Sequence, residues 1–379
     1  MPMLRISRKQ STKTTLIDEE TISGYKSTNY YPINVGDTIC DDYKIKAKLG
    51  YGRDSTVWLC TNKSQSFKTL KVSTAGKAQC RETRVIEHLV DTLATSEHQG
   101  KYCVRWPEDI FNIDSADEER HHECFVFEPL GPSLLEFMEG RENNTFHIAE
   151  VRWMAIYFLN ALDFLHTHEV VHADLKLDNI LLTLPSNRSA ILNKLVTAEK
   201  LSPSFAKITA GGHPVVQSRE MNQSDFTFPI LCDLGSAVLG RPPHEGLAQG
   251  LPYRAPEVIL EGHWNEKIDV WSMGVIILEL MIDQRLFGDS TEEYALQSMV
   301  RWLSSPPVAL LDRCTRADQF FDKSGRWKHG EIAHEELEDR IEIEPEMPQL
   351  FDFIRSMLKW DPDERWSASE LLKHPWLQD

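Results

Sequence analysis

A change of hydrophobic period along the chain constrains its fold more than any single residue. From Tyr43 to Val72 the apolar residues come in short runs divided by turn residues, "YKIKAKLG", "STVWLCT" and "SFKTLKV", the pattern of adjacent antiparallel strands. Beyond Gly131 the period becomes helical. Ile148, Val151, Met154, Phe158, Leu162 and Leu165 recur at steps of three and four, which places them along one side of a helix. "DVWSMGVIILELMI", Asp269 to Ile282, is apolar nearly all round, as a helix buried at the centre of a packed unit would be. A small β-rich lobe followed by a larger helical one is an α+β arrangement, with a cleft expected between them.

Composition narrows the function classes. With 379 residues the chain is long enough for one domain of two lobes. Its longest apolar run, Val275 to Ile282, is broken by Glu279 and falls short of the ~18 to 20 residues of a membrane span. No membrane partner is expected. Seven cysteines are scattered with no C-x-x-C pair, which predicts reduced thiols and residence in the cytoplasm, the nucleus or both. A formal charge of −17 disfavours nucleic acid as a direct partner and favours a basic one. Met1 to Asn29 is polar and lacks the periodicity of a packed element, so it reads as a tail. Its first residues carry Arg5, Arg8, Lys9 and Lys13 and no acid, a composition shared with transit peptides, though without a clear amphipathic helix. Nothing in the sequence calls for an oligomer, and a monomer is expected.

Three stretches carry chemistry. "LGYGRDSTV" comprises Leu49, Gly50, Tyr51, Gly52, Arg53, Asp54, Ser55, Thr56 and Val57. Small residues there let backbone N–H groups approach phosphate oxygens, and Val57 offers an apolar lid for a flat base. A hairpin with two turn glycines is an equally good account of the motif alone. The loop lies between strands, however, whereas a dinucleotide fingerprint opens a helix. On the "SFKTLKV" run Lys68 and Lys71 point to opposite faces because their separation is odd. Spacing from the glycine loop selects Lys71 as the phosphate-side cation, and the helix-like "AQCRETRVIEHLV" offers Glu82 as its ion partner, a solvated helix glutamate being the other account of that residue.

"VVHADLKLDNILL" sets Asp174, Lys176 and Asn179 within six residues between apolar runs. An aspartate there can orient a hydroxyl or accept its proton, a lysine can neutralise a transferring phosphoryl group, and an asparagine carbonyl can ligate Mg²⁺. Asp233 in "LCDLGSA" adds a carboxylate at a strand end, and Mg²⁺ favours one or two carboxylates with phosphate oxygens.

In order, these motifs resemble a eukaryotic protein kinase over nearly the whole chain after residue 30. Asp233-Leu234-Gly235 is similar to the metal-binding motif, Tyr253 to Glu257 ("YRAPE") to the end of the activation segment, Asp269 to the central-helix aspartate, and Arg365 to the arginine that pairs with Glu257. Within the family the lead-in "YYPINVGD", the run "STVWL" and a long spacer between Asn179 and Asp233 resemble the SR-protein kinases and their fungal relatives. The resemblance implies a two-lobed kinase fold with a tail and lead-in at 1–42 and a kinase domain at 43–379. Its N-lobe would be 43–130 and its C-lobe 131–379, the latter holding a spacer at about 183–228. It implies ATP and Mg²⁺ as cofactors, Glu128 and Leu130 as adenine contacts, and serines in basic Arg/Ser-rich protein segments as acceptors, hence a part in regulating mRNA splicing. The acidic stretch Glu331 to Glu346 is a candidate for steering such substrates, a solvated face being an equally good account of it.

Departures from the pattern are informative. Leu234 stands for the usual Phe, Ser55 for a third loop glycine and Gly250 for a threonine of many relatives. None removes a phosphate, metal or proton-handling group, which counts against a pseudokinase scaffold, the main alternative. A small-molecule phosphotransferase is not expected to carry "APE", Asp269 and the Glu257–Arg365 pair. Ala173 replaces an arginine that elsewhere in the family pairs with a phosphate on the activation segment. Between Asp233 and Glu257 there is no threonine, and the only hydroxyls are Ser236 and Tyr253. Receptor and phosphate are missing together, which predicts a kinase active without that switch.

Overall fold

A computed structural model describes residues 16–76, 79–115, 120–141, 143–209, 211–221, 225–282, 284–288, 290–340 and 347–378. The basic residues Arg5 to Lys13 and the acidic positions 341–346 lie outside these. In chain order come strands β1 (Thr38–Ile39), β2 (Tyr43–Tyr51), β3 (Ser55–Thr61) and β4 (Phe67–Ser73), helix α1 (Arg81–Thr95), and strands β5 (Asp109–Asp114) and β6 (His121–Phe127). Helices α2 (Leu134–Glu139) and α3 (Ile148–Thr167) precede strands β7 (Val170–Val171) and β8 (Ile180–Leu182). The spacer forms helix α4 (Arg188–Leu201) and the hairpin β9 (Ala206–Ile208) and β10 (Pro214–Val216). Strands β11 (Pro229–Leu231) and β12 (Val238–Leu239) follow, then helices α5 (Pro256–Ile259), α6 (Lys267–Glu279) and α7 (Glu292–Leu303).

The chain divides into two compact units. The first draws on Met1–Lys77, Glu108–Glu128 and Leu192–Glu220. Its core is an antiparallel sheet in the order β1-β2-β3-β4-β6-β5, and the three runs read from the sequence become β2, β3 and β4. Ile45, Trp58, Leu70, Val72 and Val126 bury one face of it. The second unit, Ala78–Pro107, Pro129–Ile191 and Met221–Asp379, is mainly helical. Of the expected stripe on α3, Val151, Met154, Phe158, Leu162 and Leu165 are buried and Ile148 is half-buried. α6 is buried from Ile268 to Glu279, as its all-round apolar character requires. No described helix is long and apolar enough to cross a membrane.

Three expectations are corrected. The supposed tail is packed from Ile17 onward, because Ile17, Glu19 and Tyr30 find buried partners in the first unit. The spacer, expected within the C-lobe, counts with the first unit from Leu192. Val216 joins that unit's core, and Lys207 pairs with Glu20 at 2.6 Å. Helix α1, expected in the N-lobe, belongs to the second unit, since Val85 and Leu89 enter its core and His88 bonds the carbonyl of His168 at 3.0 Å.

Candidate active site

The glycine loop is the β2–β3 turn. Gly52 donates to the carbonyl of Ser55 at 2.8 Å, which closes it. A Cβ placed on Gly50 or Gly52 would meet nothing within 4 Å, and neither residue needs a positive φ. Neither packing nor backbone conformation therefore demands these glycines, which fits a loop kept bare for a phosphate group. On β4, Lys71 reaches over the Phe125 ring at 5.9 Å. Lys68, on the opposite face, is held by Glu108 at 2.8 Å and Glu128 at 2.6 Å. The side chain of Glu128 is thus committed, and the backbone is what this position can offer a base. Lys71 and Glu128 belong to the first unit, Glu82 and Leu130 to the second. Glu82 sits in the first turn of α1, buried.

Asp174, Lys176, Asn179 and Asp233 share the second unit, where two devices bring them together. One is Asp269, fully buried in the first turn of α6. Its carboxylate accepts from the backbone amides of His172 at 2.8 Å and Ala173 at 2.9 Å and from His166 Nε2 at 2.9 Å. A buried carboxylate with three donors is a fixed point. The other is the β8–β11 pair, in register from Ile180↔Leu231 to Leu182↔Pro229. Asn179 precedes β8 and Asp233 follows β11, so residues 54 apart in sequence become neighbours. The Cys232 amide donates to the Asn179 carbonyl at 2.8 Å.

Asp174 is held in turn. Its Oδ2 accepts from Lys176 Nζ at 2.9 Å and Asn179 Nδ2 at 3.1 Å, and Nδ2 also donates to its backbone carbonyl at 2.8 Å. With the amide nitrogen of Asn179 committed to Asp174, its oxygen is the atom with metal-ligand chemistry. His172 Nε2 lies 3.1 Å from the Cys232 carbonyl and its Nδ1 accepts from the Asp174 amide at 3.3 Å, so a proton on Nε2 satisfies both. Asp233 adopts φ 67°, and its Oδ1 accepts from Gly235 N at 3.2 Å. Leu234 is buried as an apolar plug.

Arg365 and Glu257 form a two-pronged ion pair, both contacts 2.7 Å, with side chains essentially inaccessible. The remaining guanidinium donors go to the carbonyls of Lys359, Lys267 and Trp360. All five N–H groups are satisfied.

Sequence reasoning missed Gln249. This buried residue has φ 63°. Its Nε2 donates to Ser272 Oγ at 2.7 Å, the Ile268 carbonyl at 2.8 Å and the Tyr253 carbonyl at 3.2 Å, and its Oε1 accepts from Ala255 N at 3.0 Å. Ahead of "YRAPE", a glutamine flanked by Ala and Gly carries no signal in the sequence. Nearby, Tyr253 donates to Glu279 Oε2 at 2.8 Å, and Arg285 donates to both. Burial pushes the Glu279 carboxyl above its usual range, against the opposing pull of Arg285.

A bare glycine loop in the sheet unit, and in the helical unit a braced aspartate with two metal-suited oxygens, are parts that a phosphotransferase needs. A family model for the protein kinase domain matches residues 43–203 and 218–377, and the chain belongs to the eukaryotic protein kinases. The unmatched gap is the β9–β10 hairpin. A serine/threonine protein kinase of Aspergillus fumigatus is 34% identical over 95% of this chain and 91% of its own length. The serine/threonine-protein kinase SRPK of Physarum polycephalum is 27% identical over 96% and 92%. A crystallised kinase domain superimposes with a TM-score of 0.70 at 25% identity, covering 93% of this chain and all of that one. The chain is a protein serine/threonine kinase of SR-protein-kinase-like type, a family that uses ATP and typically Mg²⁺.

Proposed function

We propose that this kinase phosphorylates serines in basic, Arg/Ser-rich protein segments and needs no phosphorylation of its own activation segment. The observation that carries the reading is the bracing of Asp174 by Lys176 and Asn179 on a loop anchored to Asp269. A carboxylate so fixed can orient an acceptor hydroxyl and take its proton without reorganising. Lys176 offsets charge on the transferring group. Lys71 and the amides of residues 49–57 hold the phosphates, while the backbone at Glu128 and Leu130 meets adenine. Asn179 and Asp233 fit Mg²⁺, one amide oxygen and one carboxylate; the ion when bound neutralises phosphate charge.

The net charge of −17 supports a basic substrate, as does the likeness to SRPK. Gln249 supports independence from phosphorylation, since neutral groups alone make its bonds to α6 and to Ala173. Seven free cysteines suit cytoplasm or nucleus. The test is a positional peptide library assayed with protein made in a host lacking eukaryotic kinases, before and after phosphatase treatment. Arginine-flanked serines should be selected and phosphatase should change nothing. A preference for acidic peptides removes the substrate assignment, and no transfer to any peptide leaves a scaffold.

A further inference from the structure

Ahead of the matched kinase domain, residues 17–30 grip the β2–β3 hairpin in two places, one of them on the glycine loop itself. Glu19, buried, divides its carboxylate: Oε1 accepts from the Tyr25 hydroxyl at 2.8 Å, and Oε2 takes the Lys48 ammonium. Lys48 lies on β2 two residues before Gly50 with its side chain 2% exposed; burial pulls its pKa down to about 7, and the Glu19 carboxylate offsets the cost of burying its charge. Tyr30, also buried, directs its hydroxyl to the carbonyl oxygens of Gly52 at 3.0 Å and Arg53 at 2.9 Å. The Tyr25 ring stacks on that of Tyr30 at 5.1 Å, which joins the two grips.

The consequence follows from peptide planarity. Fixing the carbonyl of Gly52 fixes the plane that carries the Arg53 N–H, and fixing that of Arg53 fixes the plane of the Asp54 N–H. The loop's other bonds, from the Gly52 amide to the Ser55 carbonyl and from the Thr74 amide to the Asp54 carbonyl, both 2.8 Å, leave the carbonyls of Gly52 and Arg53 to Tyr30. The spacer braces the arrangement from another side: Lys207 pairs with Glu20 at 2.6 Å, and the Arg219 amide donates to the Lys48 carbonyl at 2.9 Å.

We infer that the segment 17–30 is a built-in positioning element for nucleotide binding, with Tyr30 as the positioning residue that aims two glycine-loop amides. The inference rests on the kinase reading of the loop. Tyr30 bonds the loop and acts through it.

The test uses the full chain with Tyr30→Phe and, separately, Glu19→Gln. It reads the KM for ATP, the KM for an Arg/Ser-rich peptide, kcat, the thermal midpoint, and hydrogen exchange of the amides of residues 50–57 without nucleotide. Tyr30→Phe should raise the KM for ATP by about 2- to 10-fold, the span of one hydrogen bond, and speed exchange at Arg53 and Asp54. Peptide KM should stay at its wild-type value, and the thermal midpoint should fall by no more than the few degrees that one lost hydrogen bond costs. An unchanged KM for ATP with unchanged exchange overturns the inference. So does an equal rise in both KM values with a lowered midpoint, which marks general loosening. If the wild type transfers no phosphoryl group, the kinase reading fails, while loop exchange, which needs no turnover, still decides whether Tyr30 orders the loop. Should Glu19→Gln fail to fold, Tyr30→Phe, which removes one oxygen, decides alone.

Discussion

The backbone amide of Gln249 donates to the carbonyl oxygen of Ala173 at 2.9 Å. The residue that stands in place of the family's phosphate-reading arginine is therefore itself tied to the activation segment. Both residues adopt a left-handed backbone, φ 63°, a conformation that costs a non-glycine residue about 1 to 2 kcal/mol and persists where surrounding bonds impose it.

Gln249→Ala removes the acceptor of the Ala255 amide and the donor to Ser272, all buried. Unsatisfied buried groups cost about 1 to 3 kcal/mol each, so the thermal midpoint should fall by several degrees. Turnover of peptide should drop about tenfold or more while ATP affinity holds. Steady-state kinetics with both substrates varied check this split.

Arg365→Lys keeps the charge and loses the fork. One ammonium cannot supply the five bonds now made to Glu257 and three carbonyls, and a broken buried pair costs about 3 to 5 kcal/mol. Denaturant titration of the variant should show a clearly lower midpoint.

Glu279 gives a pH signature. Burial raises its pKa in the folded state, so the folded protein binds this proton more tightly than the unfolded chain does. That contribution to stability is present at low pH and is lost as pH rises through the folded value. Glu279→Gln, which cannot ionise, should lose less stability than the wild type as pH is raised from the acid side toward neutrality. The groups facing Glu279 are Tyr253 and Arg285, and thermal midpoints across the pH series read the difference.

Salt tests the charge argument. The KM for an Arg/Ser-rich peptide should rise several-fold between ~50 and ~300 mM salt, because screening shortens the reach of the acidic surface. The KM for a neutral peptide should move little.

The three strands and the buried α6 were legible because their side-chain periods match the elements they form. Asp174, Asn179 and Asp233 were legible because the motifs are local, and the β8–β11 pair then brings the distant one home. Gln249 was not, because its worth comes from bonds to Ala173, Tyr253, Ile268 and Ser272, none of which periodicity records. Glu19 looked solvated in a polar stretch, for its partner Lys48 comes later on a strand whose own pattern gives no reason to bury an ammonium. The spacer hairpin was misplaced in the C-lobe for the same reason: Lys207 and Arg219 find their partners, Glu20 and Lys48, near the start of the chain.

The most direct measurement follows transfer of labelled γ-phosphoryl from ATP to an Arg/Ser-rich peptide by the wild type and by Asp174→Ala. The account predicts robust transfer by the wild type and a loss on the order of 10²- to 10⁴-fold in the variant, with nucleotide binding retained. Equal transfer by both proteins would contradict it.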